Sequence, residues 1–165
     1  MMLETKRLYL IPLTAKQLEL WINDLPRLEK DLNCQYFAEP LQGFFLEIVA
    51  EQLKKTKKDE KNYLYHTFWF LIRKSDNVVV GLADFKDIPN LNHEIEIGYG
   101  LGENFRHQGF MTEAVQIMCD WAINQTNVSF VIAETEIDNS QSQNILKSCG
   151  FVKYKQSETA WWKLS

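Results

Sequence analysis

The stretch His93–Val115, "HEIEIGYGLGENFRHQGFMTEAV", decides how the rest of the chain is read. Polar and apolar residues alternate at Glu94, Ile95, Glu96 and Ile97, which marks a strand ending near Leu101. A short loop follows. A helix then begins near Phe110–Thr112 and runs to about Gln125, with Ala114, Val115, Met118, Trp121 and Ala122 on its inward side. The first turn of any helix carries unpaired N–H groups and a partial positive charge. Gly109, just before that turn, lets the backbone approach a ligand closely. The unit is competent to seat a phosphate, with Arg106 and His107 as added donors. It is also competent as plain punctuation between a strand and a helix. Neither GxxxxGKS/T nor GxGxxG is present, so it is not a Walker loop or a dinucleotide fingerprint.

Working outward, "HTFWFLIRK" (His66–Lys74) and "VVVGLADFKDI" (Val78–Ile88) read as strands joined by the turn "SDN", which makes them a hairpin. The turn "PNLN" leads to the strand at His93. Upstream, "RLYLIPL" (Arg7–Leu13) reads as a strand, with Pro12 at an edge or an end. Thr14 caps a helix bearing Leu18, Trp21, Ile22 and Leu25, and Pro26 stops or kinks it. "FFLEIVAEQLKKTKKDEK" is amphipathic, with Phe45, Ile48, Val49 and Leu53 on one side. Lys54, Lys55, Lys57, Lys58 and Lys61 read better as a solvated helix end than as a nucleic-acid patch. Downstream, "VSFVIAETEI" (Val128–Ile137) is a strand. "NSQSQNILKSCG" is a helix with a Ser140/Gln143 capping pair, an apolar side of Ile145, Leu146 and Cys149, and a stop at Gly150. "FVKYKQ" and "AWWKLS" form a last hairpin. This order predicts an α/β (α+β mixed) fold: one domain over residues 1–165, with a central mixed, mostly antiparallel sheet of about seven strands and helices on both faces.

The composition supports one such domain: 165 residues, 45% hydrophobic and 24% charged. A net charge of -4 points away from nucleic acid and toward small-molecule or protein partners. No run approaches the ~18 apolar residues of a membrane span. "MMLETKRLYLIPL" lacks an apolar signal core, so a cytoplasmic chain with no membrane partner is expected. Cys34, Cys119 and Cys149 have no paired spacing; they read as inert thiols in a reducing compartment. His66 and His93 each begin a strand. With no ligand spacing around them, no metal is expected.

The run Arg106-His107-Gln108-Gly109-Phe110-Met111 resembles the pyrophosphate loop of the GCN5-related N-acetyltransferases (the GNAT superfamily), written Arg/Gln-x-x-Gly-x-Gly/Ala. The longer run "EIGYGL…FRHQGFMTEAV" is similar to its RimJ/RimL-like branch. "LETKRLYLIPL", Asn139-x-x-Ser142 and Leu146-Lys147-Ser148-Cys149-Gly150-Phe151 agree with that branch in order and spacing, so the likeness covers nearly the whole chain. Two positions depart from the pattern. Met111 stands where Gly or Ala is common, so its side chain must point away from the ligand. His107 replaces a small residue.

The resemblance implies a sheet split open between the fourth and fifth of those strands, with acetyl-CoA in the gap. Tyr99 and Leu101 would pair with the pantetheine arm. The main chain of Arg106, His107, Gln108, Gly109, Phe110, Met111 and Thr112 would take the pyrophosphate. Asn139 and Ser142 would contact the cofactor; ordinary capping is the alternative for both, but Ser140 looks the better cap. The implied reaction is direct attack of a primary amine, either a protein N-terminus or a small molecule, on the thioester in a ternary complex. That needs positioning, a donor for the oxyanion and removal of a proton. Glu96 is the favoured base and Glu94 the second; surface patterning would explain both equally well. Leu146 stands where many relatives carry a Tyr acid; the resemblance to this branch suggests Ser142 for protonating the thiolate, with His107 and Tyr154 as unplaced alternatives. A non-catalytic acyl-CoA-binding or interaction module is the other reading. The acceptor is not legible, and neither is the choice between monomer and homodimer.

Overall fold

The computed structural model describes residues 1–165. Its frame is β5 (Val78–Phe85), buried at every position. Such a strand reads as a continuous apolar run because both of its faces are covered. β4 (Phe68–Arg73) lies antiparallel on one side of it, and β6 (Glu94–Leu101) lies antiparallel on the other. β2 (Leu8–Pro12) and the two-residue β1 (Leu3–Glu4) extend the sheet beyond β4. Beyond β6 come β7 (Phe130–Glu136), β9 (Thr159–Leu164) and β8 (Val152–Gln156). β3 (Gln35–Tyr36) adds parallel to the start of β5. The mixed sheet therefore has nine strands, the two short ones falling below what alternation reveals in sequence.

Helices cover both faces, and the core divides accordingly. On one face, α5 (Phe110–Ile123) and α6 (Ser140–Ser148) bury Phe110, Met111, Val115, Met118 and Leu146 against Leu8, Trp69, Phe85 and Ile97. On the other, α1 (Ala15–Asn23), α2 (Leu25–Leu32) and α3 (Gly43–Lys58) pack on Phe68, Phe70, Val79 and Leu82. Trp21 is the knot of this second layer. Its ring meets Phe45, Phe68 and Phe70 edge-on, the last at 5.1 Å between centroids and 89°. Each such ring contributes about 2–3 kcal/mol by burial and about 1 kcal/mol more from the edge-to-face geometry.

Thr14 caps α1 through a capping box with Gln17. Several local expectations shift. Pro26 does not end a helix; it sits in the first turn of α2, where a missing N–H costs nothing, while Asp24 caps that helix. The inward face of α3 carries Val49, Gln52 and Thr56, whereas Ile48 is exposed. Buried Gln52 is tolerated because its amide donates to the His66 carbonyl at 2.7 Å. His66 ends a one-turn helix, α4 (Tyr63–His66), rather than beginning a strand; its Nε2 lies 2.9 Å from the Asp59 carboxylate. His93 precedes β6 in a turn, at φ 58. Burial pushes the Cys34 and Cys149 thiols up to about 11 and raises Cys119 as well, which keeps all three protonated and unreactive near neutrality. No helix is long and apolar enough to cross a membrane.

Candidate functional site: a groove where the sheet splits

β6 belongs to two half-sheets. Its last residues pair with β5, from Ile97↔Phe85 to Leu101↔Gly81. Its first residues pair in parallel with β7, but only from Glu94↔Phe130 to Glu96↔Ile132. β7 continues antiparallel with β9 as far as Glu136↔Thr159. Each strand thus follows a different partner, and a wedge opens between them. The Glu96 carbonyl accepts from Lys86 and the Gly102 amide donates to Val80, so even-numbered residues of β6 bond toward β5. The main-chain groups of Tyr99 and Leu101 therefore face the wedge, beyond the last rung of the β6–β7 ladder. Unpaired strand groups of this kind accept an extended, amide-bearing ligand as a further strand would be accepted.

The wedge opens onto the N-terminus of α5. Gly109 is its N-cap, at φ 83, with no side-chain cap bond. The first-turn amides are left to a ligand. A Cβ on Gly109 would lie 3.2 Å from the Arg7 guanidinium, and the positive φ favours glycine independently. Met111 is 2% exposed and packs in the core, so its side chain does point away. His107 is also left-handed, at φ 64. Arg7 holds the loop from outside: it forms an ion pair with Glu113, donates to the Gln108 carbonyl at 2.9 Å and lies over the Phe110 ring at 4.2 Å. Thr5 donates to the same Glu113 carboxylate at 2.8 Å. This brace ties the beginning of the chain to the loop. Glu113 was visible only as a first-turn acid favoured by the helix dipole.

Two adjoining cavities, about 690 and 280 Å³, form the groove. Together they are lined by Tyr99, Leu101, Arg106, His107, Gly109, Met111, Thr112, Asn139 and Ser142, so most of the residues singled out from sequence converge here. Gln108 and Phe110 belong to the loop but do not line the cavities. The cap of α6 differs from expectation. Asn139, not Ser140, is the N-cap, its side-chain Oδ1 accepting from the Ser142 amide at 3.0 Å. Gln143 donates instead to the Glu136 and Ile137 carbonyls, securing the end of β7. The Tyr99 hydroxyl spans the wedge to α6, 2.8 Å from Ser142 Oγ and 3.2 Å from the Ser142 carbonyl. Burial pushes the Tyr99 phenol up to about 12, so it stays a donor at neutral pH.

The acidic residues of β6 are both paired. Glu94 holds Lys163 at 2.7 Å and accepts from Asn90, and these bonds keep its carboxyl below the ordinary range. It does not line the groove. Glu96 holds Lys86 at 2.8 Å. A third carboxylate was not singled out from sequence. Asp84 on β5 is 7% exposed and stands opposite Gly98 of β6. A Cβ on Gly98 would fall 2.6 Å from Asp84 Oδ1, so only glycine leaves that carboxylate room. The available clue was an acid inside an otherwise apolar central strand.

The profile of the acetyltransferase (GNAT) domain matches residues 7–152. An uncharacterized N-acetyltransferase of Bacillus subtilis, YjdG, is 34% identical over 95 residues, which is 57% of this chain and 56% of that protein. The ribosomal-protein-serine acetyltransferase of Escherichia coli is 30% identical over 83 residues, 50% of this chain and 46% of that protein. The alignments thus span about half the length of these relatives. Among solved structures, the ribosomal-protein α-N-acetyltransferase RimL in complex with coenzyme A superposes with a TM-score of 0.72 at 15% identity, covering 99% of this chain and 97% of that one. The match to residues 7–152 takes in both strands that diverge at the split, β6 and β7, together with the loop before α5 and all of α6, and the chain belongs to the GNAT family of acetyltransferases.

Proposed function

We propose that this protein is an acetyl-CoA-dependent N-acetyltransferase of the RimJ/RimL-like kind, carrying an acetyl group to a primary amine. One observation supports the reading above others: the unpaired main chain of Tyr99 and Leu101 leads directly to the uncapped first turn of α5. A pantetheine arm has amides for the former, and a diphosphate has charge for the latter. In this reading the loop from Arg106 to Thr112 takes the diphosphate, and Asn139 directs its amide nitrogen at the arm while its oxygen caps α6.

The amine attacks the thioester carbonyl carbon, a C–N bond forms, and the tetrahedral oxyanion collapses with cleavage of C–S. The leaving thiolate needs a proton. Leu146 is fully buried in the core and supplies none. Ser142 Oγ, polarised by the Tyr99 hydroxyl, is the donor assigned here. Glu96 acts by fixing Lys86, and Glu94 by anchoring β9 through Lys163.

Thermal shift with acetyl-CoA and with CoA, followed by a thiol-release assay over amines and peptides, tests the proposal. Stabilisation by both thioester and thiol is expected, and acetyl-CoA turnover only with an amine present. Absence of any CoA-dependent shift at saturating ligand would overturn it.

A further inference from the structure

A separate cavity of about 280 Å³ opens on the opposite face of the sheet from α5. Tyr99, Gly100, Ser142 and Glu39 line both this cavity and the groove described above, so the two spaces meet beside the Tyr99–Ser142 hydroxyl pair. Its walls are apolar, made by Phe45 and Ile48 of α3 with Phe68 and Leu82 of the sheet. Its charged lining is mostly acidic: Asp84, Glu134 and Glu39, with Lys86 as the only cation. Lys86 gives its ammonium to Glu96 rather than to Asp84. No side chain or main-chain group of the protein forms a hydrogen bond with the Asp84 carboxylate, although Asp84 is only 7% exposed. A largely buried carboxylate without a protein partner is costly, and this one keeps its access through the cavity, where a cationic ligand could pair with it.

We propose that this cavity is the acceptor pocket and that Asp84 binds the acceptor's ammonium and removes its proton. The inference rests on the donor groove assigned above. The pocket fits a primary ammonium on an apolar stem: the carboxylates receive the charge, and Phe45, Ile48 and Phe68 pack the stem. One N–H proton passes to Asp84, and the freed lone pair attacks the thioester carbonyl carbon. A second proton leaves nitrogen as C–S breaks, and one proton ends on the CoA sulfur through Ser142. The reaction thus releases one proton overall.

Burial raises the Asp84 carboxyl from 3.8 to about 7. Lys86 and Lys55 oppose the rise and Glu96 adds to it, while Glu134 and Glu39 face the same space. A base with that affinity is matched to proton transfer near neutrality. Glu96 is engaged by Lys86 at 2.8 Å.

The test compares wild type with Asp84→Asn, which keeps the shape and loses the charge. The probes are acetyl-CoA with spermidine, putrescine, or tetrapeptides beginning with Ala or Ser. Wild-type kcat/KM should fall as pH drops below about 7, and the variant should lose about 100-fold or more and the inflection with it. Stabilisation by acetyl-CoA should be the same in both proteins, which separates a lost acceptor base from a lost fold or donor site. A variant that keeps its rate and pH profile refutes the assignment. So does a wild type that binds acetyl-CoA but neither acetylates nor is further stabilised by any of these amines. If acetyl-CoA itself fails to bind, the donor groove is wrong and this inference falls with it.

Discussion

Asp84 also makes a prediction that needs no substrate. In the folded chain its proton is held up to about pH 7, against an ordinary value of 3.8. Between those limits the native state binds more protons than the unfolded chain, so this group lowers stability progressively as pH rises. Its cost is absent below the unfolded value and complete above the folded one. At about 1.4 kcal/mol for each tenfold change in proton affinity, the full cost is about 4 kcal/mol. About 3 kcal/mol of it develops between pH 5 and pH 8. Asp84→Asn stays neutral throughout and escapes it, although its amide must still be buried without a partner. The stability difference between variant and wild type should therefore move in favour of the variant by about 3 kcal/mol from pH 5 to pH 8. The assay is urea unfolding of both proteins at intervals across that range, with the other titrating groups cancelling in the difference. A difference independent of pH would mean that Asp84 is ionised normally, and the reasoning about an unpartnered, desolvated carboxylate would be refuted.

Other perturbations address the donor side. Gly109→Ala places a Cβ 3.2 Å from Arg7 and forces a positive φ. It should cost about 1 kcal/mol of stability and at least about tenfold in acetyl-CoA affinity, read by thermal unfolding and calorimetry. Arg7→Ala removes the Glu113 pair and the bond to the Gln108 carbonyl. Weaker acetyl-CoA binding with the amine KM unchanged is expected, and unaltered affinity would show that the brace does not set the loop. Ser142→Ala and Tyr99→Phe should each lower kcat at unchanged acetyl-CoA affinity, and the double variant should lose less than the product, because the hydroxyls lie 2.8 Å apart and act together. Independent, multiplicative losses would dissolve that pair.

Much of the groove's lining was legible because its parts are local. Phosphate competence is a property of a glycine before a helix, and both lie within Arg106–Thr112. Alternation separates Tyr99 and Leu101 from their neighbours, but only the bonds of Glu96 and Gly102 to β5 decide that the odd-numbered residues face the wedge. The cap of α6 was less legible: Ser140 and Asn139 are both good cap residues, and the choice went to Asn139 because its oxygen reaches the Ser142 amide. Arg7 and Glu113, far apart in the chain, gave no local sign of meeting. Pro26 looked like a terminator because proline disfavours both the interior and the end of a helix; only Asp24 as the next cap makes it an initiator.

By itself the sequence determined the period of each main element, the split-sheet fold through its likeness to the GNAT family, and the glycine that opens α5 without a side-chain cap, since these depend on neighbours along the chain. The tertiary structure decided which carboxylate is left without a partner. Glu94 and Glu96 stand out in a strand by their alternation, yet Lys163 and Lys86 claim them across the sheet. Asp84 is hidden in an apolar run, and its Gly98 clearance and desolvation arise only when β5, β6 and α3 come together. Ionisation and access are set by what surrounds a group in space, and spacing along a chain does not encode that directly.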